Sequence, residues 1–91
     1  MKLSSDEILR NNVKYYRITQ GFTQEKISEL MQINEKHYCS LENGKYNFTL
    51  DNLDLVSTIL NKEPCELLKE RHTEDEVPSR LDFYKNLNKD K

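Results

Sequence analysis

The stretch INEKHYCSLENGK, Ile33 to Lys45, concentrates side chains that can donate and accept hydrogen bonds within one helical span. If Tyr38 and Leu41 face inward at helical spacing, then Glu35, Lys36, Cys39 and Ser40 face outward. That outer face carries a carboxylate, an ammonium, a thiol and a hydroxyl. It is unlike an ordinary solvated face of Glu/Lys pairs and suits contact with another polar surface. Catalysis fits poorly: the chain has no Gly-rich phosphate loop, no nucleophile elbow and no H-x-x-x-H pair. Cys39, Cys65, His37 and His72 fit no zinc spacing, so no metal and no cofactor is expected.

The scaffold for that face must be small. Ninety-one residues suffice for one domain. Hydrophobic residues make up 35% and charged residues 33%, so the core must be compact, and helices need only one apolar stripe each. Two glycines and two prolines argue for helices joined by short turns. No Asn-Gly or Gly-Gly pair sits between alternating apolar runs; Asn43-Gly44 follows a helical pattern instead. The net charge of −2 argues mildly against a generic nucleic-acid binder. Residues 1–62 balance eight Lys/Arg against eight Asp/Glu, so the acidic excess lies beyond them. No stretch resembles a signal peptide or membrane span, and the cysteines form no CxxC pair. A reduced cytoplasmic compartment is expected.

The pattern predicts five helices over residues 4–71. The first covers 4–20, opened by the capping-box pair Ser4 and Glu7, with Ile8, Leu9, Val13, Tyr16 and Arg17 on one side and Gly21 as its stop. Thr23 opens the second, where Ile27, Leu30 and Met31 form the stripe. Asn34 caps the third and Gly44 ends it. Thr49 opens the fourth, with Leu50, Leu53, Val56, Ile59 and Leu60 at helical spacing. Pro64 suits the first turn of the fifth, where Leu67 and Leu68 face the core. Residues 72–91 read as an acidic linker and a short amphipathic tail that Ser79 can cap. Two short helices joined by a tight turn make the skeleton of a helix-turn-helix domain.

Residues 9–68 resemble the lambda-repressor-like helix-turn-helix family, of the Cro or xenobiotic-response-element type. GFTQEKISELM resembles its second helix and lead-in, INEKHYCSLENGK its recognition helix and exit, FTLDNLDLVSTIL its fourth helix and PCELL its fifth. The resemblance implies an all-α, five-helix DNA-binding domain. It implies that the third helix enters the major groove of double-stranded DNA, which is about 12 Å wide and admits a helix. Glu35, Lys36, Cys39 and Ser40 would then read bases: Lys36 donating to guanine, Glu35 accepting from cytosine, Ser40 serving either way, Cys39 lying on a thymine methyl. Gln24 at the start of the second helix would meet a phosphate or buttress the readers, and Asn43, Lys45, Tyr46 and Asn47 would meet phosphates after Gly44. Arg17 and Glu42 would form the salt bridge that fastens the recognition helix to the scaffold. Residue by residue, Glu35 and Lys36 also suit a plain solvated helix start, Cys39 suits mere tolerance, and His37 suits a surface or phosphate-side position.

The sequence departs from the family at the turn, where Gln32 replaces the usual glycine, at Tyr38, where Ile or Val is common, and at Lys62, where a buried Val is common. The resemblance further implies a homodimer on a palindromic operator, acting as a small transcriptional regulator, with repression the default. The fifth helix and segment 77–87, carrying Val77, Leu81, Phe83, Tyr84 and Leu87, are candidates for the dimer surface, and the tail equally suits folding back on its own domain. An antitoxin-like module, whose tail 72–91 holds a protein partner, is the alternative. A small effector-responsive or phage-type regulator is a third reading, although a chain this short leaves little room for a sensing pocket.

Overall fold

The computed structural model describes residues 4–69. They form five helices: α1 (Ser5–Thr19), α2 (Gln24–Met31), α3 (Glu35–Glu42), α4 (Leu50–Leu60) and α5 (Pro64–Lys69). There is no strand among the described residues. The predicted linker, tail helix and tail contribution to a dimer surface lie outside them.

Each long element starts where a polar side chain can accept from an otherwise unpartnered N–H. The Ser4, Thr23 and Thr49 hydroxyls accept from the amides of Glu7, Lys26 and Asn52, and the Asn34 side-chain oxygen Oδ1 accepts from the Lys36 amide. Gly21 and Gly44 turn the chain out of α1 and α3 at φ +89°. Asn61 adopts the left-handed conformation after α4, as Gln32 does after α2.

The core gathers Leu9, Val13, Ile27, Met31, Tyr38, Leu53, Val56, Leu60 and Leu67, with Tyr16, Phe22, Ile33, Phe48 and Ile59 packed around it. Helix α1 is the spine, lying against α3, α4 and α5, while α2 packs on α3 and α4. Two amides tie α1 to the far helices. Asn12 Nδ2 donates to the Leu67 carbonyl at 2.5 Å and Gln20 Nε2 to the Leu60 carbonyl at 2.8 Å. Both satisfy carbonyls near helix C-termini that lack intrahelical donors. Lys62 lies with its ammonium 4.4 Å from the Tyr16 ring centroid and 3.9 Å from Glu66, so its stem covers core edge while its charge stays solvated.

Three leucines of the predicted apolar patterns, of which Leu68 is expected to face the core, are exposed instead. Leu30 is 43% exposed, Leu50 80% and Leu68 42%. Ile27, Ser28 and Met31 define the buried face of α2, and Leu30 stands roughly a third of a turn away from its centre. Leu50 sits in the first turn of α4, off the line through Leu53, Val56 and Leu60. Neighbours on a helix point about 100° apart, so the six-residue α5 buries Leu67 and leaves Leu68 outside.

Candidate nucleic-acid interface

Helix α3 is held at its inner face by Tyr38, Leu41 and Glu42, all buried. Tyr38 and Leu41 bury their rings and branches in the core for the usual apolar reason. Glu42 is different: a carboxylate 8% exposed must be matched by donors. It is. Arg17 approaches fork-on, Nε donating to Oε2 at 2.7 Å and Nη2 to Oε1 at 2.9 Å. The Tyr38 hydroxyl donates to Oε2 at 2.5 Å, and Gln24 Nε2 donates to Oε1 at 3.2 Å. The remaining Arg17 amino group, Nη1, donates to the Phe22 carbonyl at 2.8 Å. One carboxylate therefore joins α1, the first turn of α2 and the end of α3.

The electrostatics follow from that geometry. Burial opposes the Arg17 charge, but the Glu42 carboxylate more than offsets it and holds the guanidinium above its ordinary pKa. Burial first, and then the negative charge of Glu42, push the Tyr38 hydroxyl far above its ordinary value of 10.0. Tyr38 is thus a fixed donor. The four-residue spacing of Tyr38 and Glu42 was readable as a helical pair, whereas the Gln24–Glu42 contact spans 18 residues and has no local signal.

The turn before α3 is tight. Gln32 sits at φ 60°, ψ 40°, and the amides of Gln32 and Ile33 donate to the Glu29 and Ser28 carbonyls. A residue with a Cβ costs roughly 1–2 kcal/mol in this conformation. The turn leaves Asn34, Glu35 and Lys36 exposed at the helix start.

Of the four outward positions assigned to base reading, Glu35 and Lys36 are exposed, but Cys39 and Ser40 are half-buried. Ser40 is covered because the exit turn folds back on it: the amides of Lys45 and Tyr46 both donate to its carbonyl, at 2.9 and 3.2 Å. Its hydroxyl donates to the Lys36 carbonyl at 3.0 Å and keeps its lone pairs as acceptors. Burial, then Glu35 and Glu42, raise the Cys39 thiol above its ordinary pKa, so it stays a small neutral surface. The exit turn exposes Asn43, Lys45, Tyr46 and Asn47 beside this face. The Asn43 side chain accepts from the Lys45 amide at 3.2 Å. The Tyr46 ring stands 6.0 Å from the His37 ring and 5.6 Å from the Lys45 ammonium. The Gln24 amide, assigned to a phosphate or to buttressing the readers, donates inward to Glu42.

Sequence reasoning passed over Arg10. Its guanidinium lies on the exit turn, where a Cβ added to Gly44 would stand 3.0 Å from its Cζ. Its contact with Gly44 is 34 positions distant, and nothing local announces it. Among the described residues no group of three His, Cys, Asp or Glu side chains could hold a metal, and none of the described helices is long and apolar enough to cross a membrane.

A five-helix domain with a buried clamp and an exposed, polar third helix is a helix-turn-helix module. The helix-turn-helix family model matches residues 13–67. The control protein C.SmaI of Serratia marcescens is 30% identical over 70 residues, which cover 77% of this chain and 83% of that protein. No solved structure matches. The chain belongs to the helix-turn-helix family of the Cro and xenobiotic-response-element type, and it is a DNA-binding regulator of transcription rather than an enzyme.

Proposed function

We propose that the protein binds as a homodimer to a two-fold-symmetric operator and represses the promoter on which it sits. The observation that carries this reading is the exposed polar face of α3, fixed to the scaffold from behind by the Glu42 carboxylate. A groove-reading helix must keep its orientation while its side chains exchange water for base edges, and four donors on one buried acceptor supply that rigidity. Glu35 and Lys36 are the principal readers, with Ser40 an acceptor and Cys39 an apolar contact at the flanks. Asn43, Lys45, Tyr46 and Asn47 position the domain on phosphates. Gln24 acts mainly through Glu42.

Two domains on one face of B-DNA place their third helices about 34–36 Å apart, which sets the spacing of half-sites. Few cations stand on this face, so one domain alone binds weakly and pairing supplies the affinity. The Serratia marcescens relative is named a control protein, which agrees with regulatory work at a promoter. A dimer covering a promoter blocks polymerase without further parts. The proposed unit for this work is residues 4–71, in the cytoplasm with its DNA.

In vitro selection from random duplex DNA, at two salt concentrations, tests the reading. A two-fold-symmetric site whose affinity falls steeply with salt is expected. Recovery of unrelated sequences, or of nothing above background, would overturn it and direct the search to a protein partner for residues 72–91.

A further inference from the structure

Besides Lys45, Arg10 brings a cation to the exit turn. Its guanidinium rests on Gly44, with Cζ, Nε and Nη2 at 3.0, 3.1 and 3.3 Å from the place a Cβ would take. Gly44 lies between Asn43 and Lys45, so Arg10 reaches the same turn from α1. Its side chain is 21% exposed, enough to be reached from solvent. Arg10 Nη1 donates to Asp6 Oδ2 at 2.8 Å, one turn earlier on α1. A guanidinium carries five N–H donors. Asp6 takes one, and the others have no hydrogen-bond acceptor among the described residues. Asp6 does not depend on Arg10: the Ser4 hydroxyl donates to its other oxygen at 2.7 Å.

Resting on the reading of the exit turn as a backbone contact, we propose that Arg10 is a further ligand for a DNA phosphodiester, held over Gly44 by Asp6 until the backbone arrives. A planar fork of donors suits a phosphate as it suits a carboxylate. The exchange is conservative: Arg10 passes from a carboxylate to a phosphate, and Asp6 keeps Ser4. Gly44 suits this arrangement, because a Cβ there would crowd the guanidinium at 3.0 Å. The thin cationic footprint of α3 and its exit thereby gains a contributor from outside the helix-turn-helix unit.

The test is a salt titration of the full chain against a short fluorescein-labelled duplex of mixed sequence, followed by anisotropy. Phosphate contacts do not depend on sequence, so this probe serves without a known operator. Arg10→Gln is expected to flatten the log–log salt slope by about 0.9, which makes affinity about 3.5-fold less sensitive to a rise from 50 to 200 mM salt. Arg10→Lys, which keeps the charge, is expected to restore most of the slope and guards against a fault of folding. Asp6→Asn is expected to raise affinity in the native background and to do nothing when Arg10 is already Gln. Lys45→Ala is run beside them. If Lys45→Ala flattens the slope and Arg10→Gln does not, Arg10 merely packs the turn and the proposal falls while the exit-turn reading stands. If neither variant changes the slope, both fall.

Discussion

Replacing Arg17 by Ala should cost as much as truncating a buried core side chain, although it removes no residue of the apolar core. Glu42 is 8% exposed and its side chain still less accessible, at 3%. Removing the guanidinium takes away both charge-assisted bonds and leaves a buried carboxylate with two neutral donors, Tyr38 and Gln24. Breaking a buried pair from one side costs about 3–5 kcal/mol, and the two surviving donors place this case near the lower end, at about 3 kcal/mol. For a domain of this size the melting temperature moves about 4–8 °C per kcal/mol, so a fall of roughly 12–24 °C is expected. Total stability is on the order of 3–10 kcal/mol at ~0.05–0.15 kcal/mol per residue, so the loss removes from about a third of it to all of it. Circular dichroism with thermal and urea melts measures this. Glu42→Gln, which keeps the shape but strands Arg17, should cost a similar amount, and the double variant should cost much less than the two added together. An unchanged melting temperature in Arg17→Ala, or strict additivity in the cycle, would refute the clamp.

Other outcomes follow from the same geometry. Tyr38→Phe removes one donor to Glu42 and one titrating group. The folded-state pKa of Tyr38 lies above its unfolded value of 10.0, so its contribution is fully present below pH 10 and is lost as pH rises further. The stability advantage of the native protein over Tyr38→Phe should therefore shrink by about 1.4 kcal/mol per pH unit above pH 10, and urea melts that stay parallel there would sink the assignment. Gln32→Gly should raise stability by about 1 kcal/mol, because glycine adopts φ 60° without a Cβ penalty; a lower melting temperature would show the turn is not strained. Lys36→Ala should relax base preference at one operator position, while Lys45→Ala should weaken all sequences and flatten the salt slope by about one. Identical behaviour of the two would dissolve the division into readers and positioners.

Helix positions were legible because the caps are local. Ser4, Thr23, Asn34 and Thr49 each announce a start through a side chain that can reach its own first turn, and Gly21 and Gly44 announce ends. Which of two neighbouring apolar residues is buried was not legible. Leu67 and Leu68, or Leu30 and Met31, differ by about 100° of rotation, and only the partner helix decides between them. The exposure of Glu35 and Lys36 could be read from the inward pull of Tyr38 and Leu41. The partial cover on Ser40 could not, since it arises from amides five and six residues on that return to its carbonyl. Arg10 over Gly44 and Gln24 on Glu42 are contacts of tertiary origin, invisible to any local pattern.

An eight-residue helix is too short to hold itself in water, so the direction of the α3 face is a property of what grips it. The grip is a single carboxylate that takes donors from α1, α2 and α3 together. The proposed base readers on α3 and the proposed phosphate positioners on the exit turn therefore share one mechanical reference, and disturbing it should move both sets at once. Damage at the clamp should then look unlike damage at either set. A reader variant changes preference among sequences, and a positioner variant changes the salt slope. A mild clamp variant such as Arg17→Lys, which keeps the charge but loses the fork, should lower affinity for every sequence while leaving preference and slope as they were. The loss comes from the fraction of molecules whose third helix is correctly held, and that fraction multiplies every binding constant alike. A shift in base preference in Arg17→Lys would mean that the clamp tilts the helix instead of populating it.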